Sequence, residues 1–535
     1  MTALRLIASA AYVEQELSVE FGQIPPAFLP IGVSRLYEAQ VARFGAGGPI
    51  HLTIPEGFTP QPHDRRRLEA LGVVLVPVPE GLQLGESIVY AINYVAGQAG
   101  PVQLLHGDTL IEDMPIGGGD VLAIHDEGDD YSWAAADIAG DEIARLEVLA
   151  AGSGHEGNRP VACGYFAFSS NTALVRAITR ARGNFIAGLN LYTQEQPLKA
   201  VRVESWRDFG HIQTYFRSRR AITTERSFNT LRIDPCTVRK SSADREKMQA
   251  EAAWFRMLPP AVQPYTARLL ETGEEGGVAF YRTEYEYAPT LAELFVFSSI
   301  GRPTWRNILR SCREFLEACA ACKGPGSAGA ALEELAVGKT VARLERYSAE
   351  TGFDIDKPAR FDGRPLPSLR RIAETVAQAI DVDAGGAETL MHGDFCFSNI
   401  LYNSRAGRII VIDPRGYVQA GRATPFGSIF YDLAKLSHSI AGCYDYIMAG
   451  RYTLAREGSH GFGISFETGA HHGWLQDAFA EMEVGGVRAG SGAVRAITVG
   501  LFLSMLPLHA DRPDRQAAFI ANALRLYTEF EAAKS

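Results

Sequence analysis

Leu390-Met391-His392-Gly393-Asp394-Phe395-Cys396-Phe397-Ser398-Asn399-Ile400-Leu401, followed by Val411-Ile412-Asp413-Pro414-Arg415-Gly416, is the stretch whose reading decides the fold of this chain. Asn399 follows Asp394 by five residues, and Asp413 follows it by 19. Two apolar runs flank the polar loop, and the second, Ile409 to Ile412, ends on Asp413 as a strand delivering a side chain does. A bare His-Gly-Asp is a surface turn; the Asn offset, the two flanking strands and a second Asp in register make this one a built site. Phosphoryl transfer from ATP needs a carboxylate to take the proton of the attacking hydroxyl and oxygen ligands to hold Mg²⁺ on the phosphates. Asp394, Asn399 and Asp413 are the right residue types at a workable spacing.

Working outward, the character of the chain changes around residues 217–226. A strand pair follows, Asn229 to Ile233 and Thr237 to Arg239, then a Glu-, Lys- and Ala-rich helix from Asp244 to Leu258 and a strand from Val278 to Tyr285. From about Pro303 the pattern is helical, broken by the strand–loop–strand of Leu390 to Ile412; Gly324 to Gly329 reads as a short flexible connector. A β-rich lobe (residues 223–300) before a helical lobe (301–535) is a bilobal, protein-kinase-like α+β organisation. Lys240, at a strand end, is placed to neutralise ATP phosphates, and Glu251 on the next helix to hold it, with Glu246 as a rival. The turn containing Ser227 and Asn229 takes the place of a Gly-rich loop over the phosphates. There is no Asp-Phe-Gly or Ala-Pro-Glu segment, so a small-molecule hydroxyl is the better acceptor than a peptide.

The stretch resembles the aminoglycoside phosphotransferase and choline kinase family, whose signature is His-Gly-Asp-x-x-x-x-Asn followed by Ile-Asp. The resemblance implies that Asp394 is the catalytic base, that Asn399 and Asp413 are Mg²⁺ ligands, that His392 is structural, and that Asp432, in Phe430-Tyr431-Asp432-Leu433-Ala434, braces the loop.

Upstream, the first 220 residues alternate short apolar runs with helical stretches. Strands are expected at Arg5 to Ala10, Ile50 to Ile54, Val73 to Val78 and Pro101 to Leu105, and helices at Ser34 to Arg43, Asp64 to Leu71 and Ser87 to Val95. This alternation predicts a doubly wound, mostly parallel α/β sheet over residues 1–222, with ligands beyond the carboxyl ends of the strands, where Asp108 lies. Gly22 to Gln40, Leu104-Leu105-His106-Gly107-Asp108, Ala162 to Phe168 and Trp206-Arg207-Asp208-Phe209-Gly210-His211 resemble, in order, motifs of the sugar- and alcohol-phosphate nucleotidyltransferases. That resemblance implies Asp108 and Asp208 as ligands of one Mg²⁺. Two departures stand out: Ala8-Ser9-Ala10-Ala11-Tyr12-Val13 replaces the Gly-rich, Arg-bearing loop, and Pro25-Pro26 stands where a Lys is usual. Arg35 and the run Arg65 to Arg67 are the available substitutes; the run is equally a solvated helix start.

Two functions compete. One is a bifunctional enzyme: the second half phosphorylates a small alcohol, sugar or amino alcohol with ATP-Mg²⁺, and the first transfers a nucleotide from a second NTP, CTP among the candidates, onto that phosphate. By resemblance the product is an NDP-activated precursor of capsule or other surface polysaccharide. The other is the same kinase with a non-catalytic, nucleotidyltransferase-like binding domain. An antibiotic-modifying kinase ranks below both, because such an enzyme has no use for the first half.

Composition fits. Of 535 residues, 46% are hydrophobic and 21% charged, and 52 Lys+Arg against 62 Asp+Glu leave a net charge of −10, which argues against a general nucleic-acid or anionic-membrane binder. Seven scattered cysteines read as reduced thiols of a cytoplasmic protein, Cys319 and Cys322 as helix residues rather than metal ligands. Arg5 and the acidic Glu14 and Glu16 argue against a signal peptide, and no run of about 18 apolar residues is present to span a membrane. His471-His472 reads as a turn, with the acceptor pocket as the alternative.

Overall fold

The apolar runs at the start of the chain become strands because β-branched side chains suit a pleated, buried surface. The computed structural model describes residues 3–95, 99–117, 119–126, 133–148, 159–222, 230–380, 386–419, 422–469 and 471–534. They fall into two units, Met1–Ile222 and Thr223–Ser535. The first is built on a nine-stranded sheet in the order Val73–Val78, Ile50–Pro55, Leu4–Ala8, Val102–His106, Val161–Phe168, Val121–His125, Lys199–Arg202, Glu142–Val148, Ala134–Ala139. The first four strands are parallel, as the alternation with helices requires. Beyond them the expectation of a mostly parallel sheet fails: only Val121–His125 and Lys199–Arg202 run parallel there, and the other pairs are antiparallel. For one of these pairs the reason is connection length. Gly140-Asp141 alone joins Ala134–Ala139 to Glu142–Val148, and so short a link permits only a hairpin.

Leu6, Val76, Leu104, Leu122 and Phe166 of the sheet share one apolar core with Ile88, Leu174, Ile178 and Leu189 of the helices Leu84–Val95, Asn171–Arg180 and Phe185–Glu195. A polar tie sits elsewhere in the unit. Arg35, 3% exposed at its side chain, pairs with the buried Asp64 at 3.1 Å and donates to the Phe28 carbonyl at 2.5 Å, while the Tyr37 hydroxyl donates to Asp64 at 3.0 Å.

The second unit opens with an antiparallel sheet, Thr230–Ile233, Thr237–Ser242, Val278–Glu284 and Leu269–Glu275 in that order. Against it lies the helix Arg245–Arg256, capped by Asp244, whose carboxylate accepts the Lys247 N–H at 3.0 Å, and burying Met248, Glu251, Trp254 and Phe255 at helical spacing. Longer helices follow, among them Arg302–Ala321, Lys339–Thr351, Ile429–Ile440, Gly492–Ser504 and Pro513–Ala532. The region is less uniformly helical than its periodicity implies. Residues read as a flexible connector form the strand Lys323–Ser327, paired with Ala387–Leu390. The hairpin Pro358–Phe361 and Arg364–Ser368 joins Gly461–Ser465 and Thr453–Glu457 in a second four-stranded sheet. No helix among the described residues is long and apolar enough to cross a membrane.

Replacing Asp64 by Ala strands the buried Arg35 charge, so Asp64→Ala is expected to lose about 3–5 kcal/mol of stability, measured by urea unfolding of the full chain.

Candidate active site

The loop around Asp394 is shaped by its backbone. Asp432, fully buried on Ile429–Ile440, accepts the N–H groups of His392 and Gly393, each at 2.8 Å. Burial pushes the Asp432 carboxyl up to about 7, and the two donors oppose that rise. Burial likewise drives His392 down to about 4, leaving a neutral ring. Nδ1 then accepts the Asp394 N–H at 3.3 Å, so Nε2 carries the proton and donates to the Ile412 carbonyl at 3.1 Å. His392 therefore links the two halves of the motif and takes no part in the cavity. Gly393 sits at φ +78°, and a Cβ there would come within 2.8 Å of the Arg415 side chain, so only glycine fits.

Three groups hold the Asp394 carboxylate. Asn399 Nδ2 donates to it at 2.9 Å, Lys435 Nζ pairs with it at 2.9 Å, and the Cys396 thiol lies at 3.8 Å. Burial favours the neutral acid, but Lys435, with help from Arg415, outweighs it and holds the carboxyl well below the usual range. Lys435 was not foreseen. Its signal was there to find: a lysine in the buried run of Leu433, Ala434 and Leu436, one turn on from Asp432.

Asp413 follows Arg408–Val411 at φ +56°, a conformation L-residues rarely adopt, which turns its carboxylate toward Lys240. The Lys240 ammonium bridges Asp413 and, at 2.7 Å, Glu251. Burial disfavours the Lys240 charge, and the two carboxylates more than restore it. Glu251 rather than Glu246 is the partner. Helix and loop touch directly: a Cβ on Gly416, at φ +53°, would lie 2.2 Å from the Glu251 backbone nitrogen. Lys240, Glu251, Asp394 and Asp413 thus line one cavity of about 300 Å³. Asn399 spends its amide N–H groups on Asp394, so its amide oxygen is the group left for a cation. Ser227 and Asn229 lie outside the described residues.

His471 and His472 do not line that cavity. His471 stacks on Trp305 with centroids 5.3 Å apart, and His472 Nε2 contacts the Cys443 thiol at 3.3 Å and the Ile440 carbonyl at 3.2 Å. They are packing residues. Cys319 is buried in Arg302–Ala321, and Cys322 donates back to the Ala318 carbonyl.

In the first unit, Asp108 and Asp208 are brought together by a short ladder. Trp206–Asp208 pairs antiparallel with Thr109–Ile111, setting Asp208 beside Thr109, and the Phe209 N–H donates to the Asp108 carbonyl at 2.8 Å. Asp208 therefore ends a strand rather than capping the helix Ile212–Ile222. The carboxylates flank Gly210, where a Cβ would lie 2.9 Å from Asp108 Oδ2 and 3.3 Å from Asp208 Oδ1. Burial and then Asp208 push the Asp108 carboxyl up to about 6; His211, 3.6 Å from Asp208, is raised by that contact. Gln40, fully buried, pins the turn by directing its amide at the carbonyls of His106, Gly107 and Thr109. Among the described residues no cluster of three or more His, Cys, Asp or Glu is assembled for a metal. Two carboxylates fit Mg²⁺, which takes its other ligands from water and phosphate.

A cavity of about 190 Å³ adjoins Asp108, lined by Ser9, Ala10, Ala11, Pro26 and His106 and, among the described residues, by no Arg or Lys. The Ser9 hydroxyl is occupied by the Ala27 N–H at 3.0 Å. Neither proposed substitute cation reaches it: Arg35 is consumed by Asp64 and Phe28, and Arg65 to Arg67 are exposed on Pro62–Ala70, with Arg67 on Glu38 at 2.7 Å.

No family model matches this chain, and no curated protein does. Solved structures similar to it include a nucleoside-diphosphate-sugar pyrophosphorylase from Vibrio cholerae RC9, 13% identical over 41% of this chain and 100% of the other, TM-score 0.34. A UTP-bound UGPase from Acinetobacter baumannii is 13% identical over 42% and 95%, TM-score 0.33. A thermostable mutant of aminoglycoside phosphotransferase APH(4)-Ia, in a ternary complex with ADP and hygromycin B, is 16% identical over 57% and 92%, TM-score 0.36.

Asp432→Asn sets an NH₂ against one of two buried N–H donors and is expected to cost about 2–3 kcal/mol, read from chemical denaturation. Because folding raises the Asp108 pKa, its ionisation costs stability: nothing below pH 4, rising to full cost above about pH 6. Asp108→Asn is therefore expected to stabilise the metal-free protein by about 1–2 kcal/mol at pH 7.5 and to change little at pH 4, checked by paired thermal melts.

Proposed function

We propose that Thr223–Ser535 transfers the γ-phosphoryl group of ATP to a hydroxyl of a small-molecule acceptor, with residues 223–300 and 301–535 as the two lobes of a kinase-like fold. The observation that carries this reading is the Lys240 ammonium held between Glu251 and Asp413 in the cavity that also receives the Asp394 carboxylate. Lys240 neutralises the nucleotide phosphates. The oxygens of Asn399 and Asp413 suit Mg²⁺, which when bound neutralises charge on the triphosphate. Lys435 and Asn399 aim Asp394 at the acceptor. The acceptor O–H bond breaks as its proton passes to the Asp394 carboxylate and a new O–P bond forms. The bond from the γ-phosphorus to the bridging oxygen breaks, and ADP leaves with that electron pair. A carboxyl held this acidic is ionised at every physiological pH.

In the same reading Met1–Ile222 transfers a nucleotide from a second NTP, with CTP a candidate, onto the phosphate so made, Asp108 and Asp208 holding Mg²⁺. The product is an NDP-activated precursor for capsule or other surface polysaccharide, made in the cytoplasm. One observation favours a second reading, in which this unit binds a ligand without turning over: among the described residues the cavity beside Asp108 has no cationic lining for a leaving pyrophosphate.

Asp394→Ala is expected to lower ATP-dependent phosphorylation by about 10²–10⁴-fold with ATP affinity retained, and full turnover in that variant sinks the assignment. Supplying ATP, CTP and other NTPs with candidate polyols and assaying pyrophosphate separates the two readings of the first unit. Release that Asp108→Asn abolishes is expected for the bifunctional enzyme, and none with any NTP, beside a working kinase, leaves the binding module.

A further inference from the structure

Six basic side chains and three carboxylates line the cavity of Asp394 and Asp413. All three carboxylates are engaged: Glu251 and Asp413 by Lys240, and Asp394 by Lys435. Lys339 and Arg343, one helical turn apart on Lys339–Thr351, make no ion pair with a carboxylate among the described residues; Arg343 donates to the Ser504 carbonyl at 3.2 Å. Both are half-buried. Lys339 emerges directly from the π-helical turn Glu333–Gly338, a local widening often found at functional sites. Burial, then Arg415, Arg343 and Lys435, push Lys339 down to about 6, and Glu334 only partly opposes them. A second cavity of about 690 Å³ shares Lys247, Lys339 and Arg415 with the first. Like charges gathered in a half-enclosed space create a field that an arriving anion relieves.

We propose that the phosphoryl acceptor itself carries a carboxylate or phosphate, bound by Lys339 and Arg343 while its hydroxyl faces Asp394. This rests on the phosphotransferase reading and narrows it: an acceptor bearing several ammonium groups is repelled by the same wall. The two basic side chains come from a helix that bears neither Lys240 nor Asp413, and they share the cavity with Leu501 of Gly492–Ser504 and with Met505 and Leu508 just after it. They are therefore assigned to the acceptor and not to the nucleotide.

The test uses the full chain with four probes of similar size: glucose 6-phosphate, glucuronate, glucose and glucosamine. Binding is measured by calorimetry in the presence of ADP and Mg²⁺, and phosphorylation with ATP and Mg²⁺. At least one anionic probe is expected to bind about tenfold or more tightly than glucose, with glucosamine weakest, and the phosphate and carboxylate arms tell the two anions apart. Lys339→Gln and Arg343→Gln are expected to erase that preference and leave the ADP Kd within about twofold, while Lys339→Arg retains it. Equal binding of glucose or glucosamine, no binding of either anionic probe where ADP still binds, or an equal loss of ADP affinity in Lys339→Gln overturns the proposal. Anion binding without transfer to any probe defeats the phosphotransferase reading alone; transfer to the neutral or cationic probe in preference to the anionic ones defeats the acceptor assignment alone.

Discussion

A buried ammonium has to be paired, and in the second unit that requirement joins three distant parts of the chain. Lys240 comes from a strand of the antiparallel sheet, Glu251 from the helix behind it and Asp413 from a hairpin end 173 residues beyond Lys240. Removing one partner leaves an uncompensated charge, so the arrangement tolerates neither drift of the helix nor unwinding of the loop. The close approach of Gly416 to the Glu251 backbone sets the same distance by sterics. Asp394 is fixed independently, through Asp432 below and Lys435 beside it. Two separate polar networks, each satisfied, therefore meet at one cavity.

The first unit solves a similar problem with fewer means. A three-residue ladder and the Gln40 amide bring two carboxylates to one glycine, and burial, then the repulsion of Asp208, raises the Asp108 pKa. Such a pair stores unfavourable charge that a cation or a proton relieves. Among the described residues no arginine or lysine lines the neighbouring cavity. The contrast with the cation-rich cavity of the second unit is the clearest electrostatic difference between the two.

Much of this was legible in the sequence because it is written in local periodicity. The strand at Val73 is an unbroken apolar run, the one at Ile50 alternates apolar residues with His51 and Thr53, and the helix bearing Glu251 repeats its buried positions every three or four residues. The Asp394–Asn399 offset is local as well. What escaped is what depends on long-range contact. Leu269–Glu275 is a largely exposed, acidic edge strand with no alternation to betray it, and Lys323–Ser327 is a Gly- and Pro-bearing strand that exists because Ala387–Leu390 pairs with it. The Pro358–Ser368 hairpin did carry a signal, Asp362-Gly363, both at positive φ. Arg343 was invisible for another reason: helical arginines are usually solvated, and only the fold shows which ones face a cavity.

The distribution of thiols has a practical consequence. Five of the seven cysteines are buried and Cys322 is half-covered, whereas Cys236 is exposed in the turn that joins Thr230–Ile233 to Thr237–Ser242, the hairpin carrying Lys240. A maleimide fluorophore will accordingly attach at one position of the native chain with no engineering. Its emission then offers an optical readout of that hairpin.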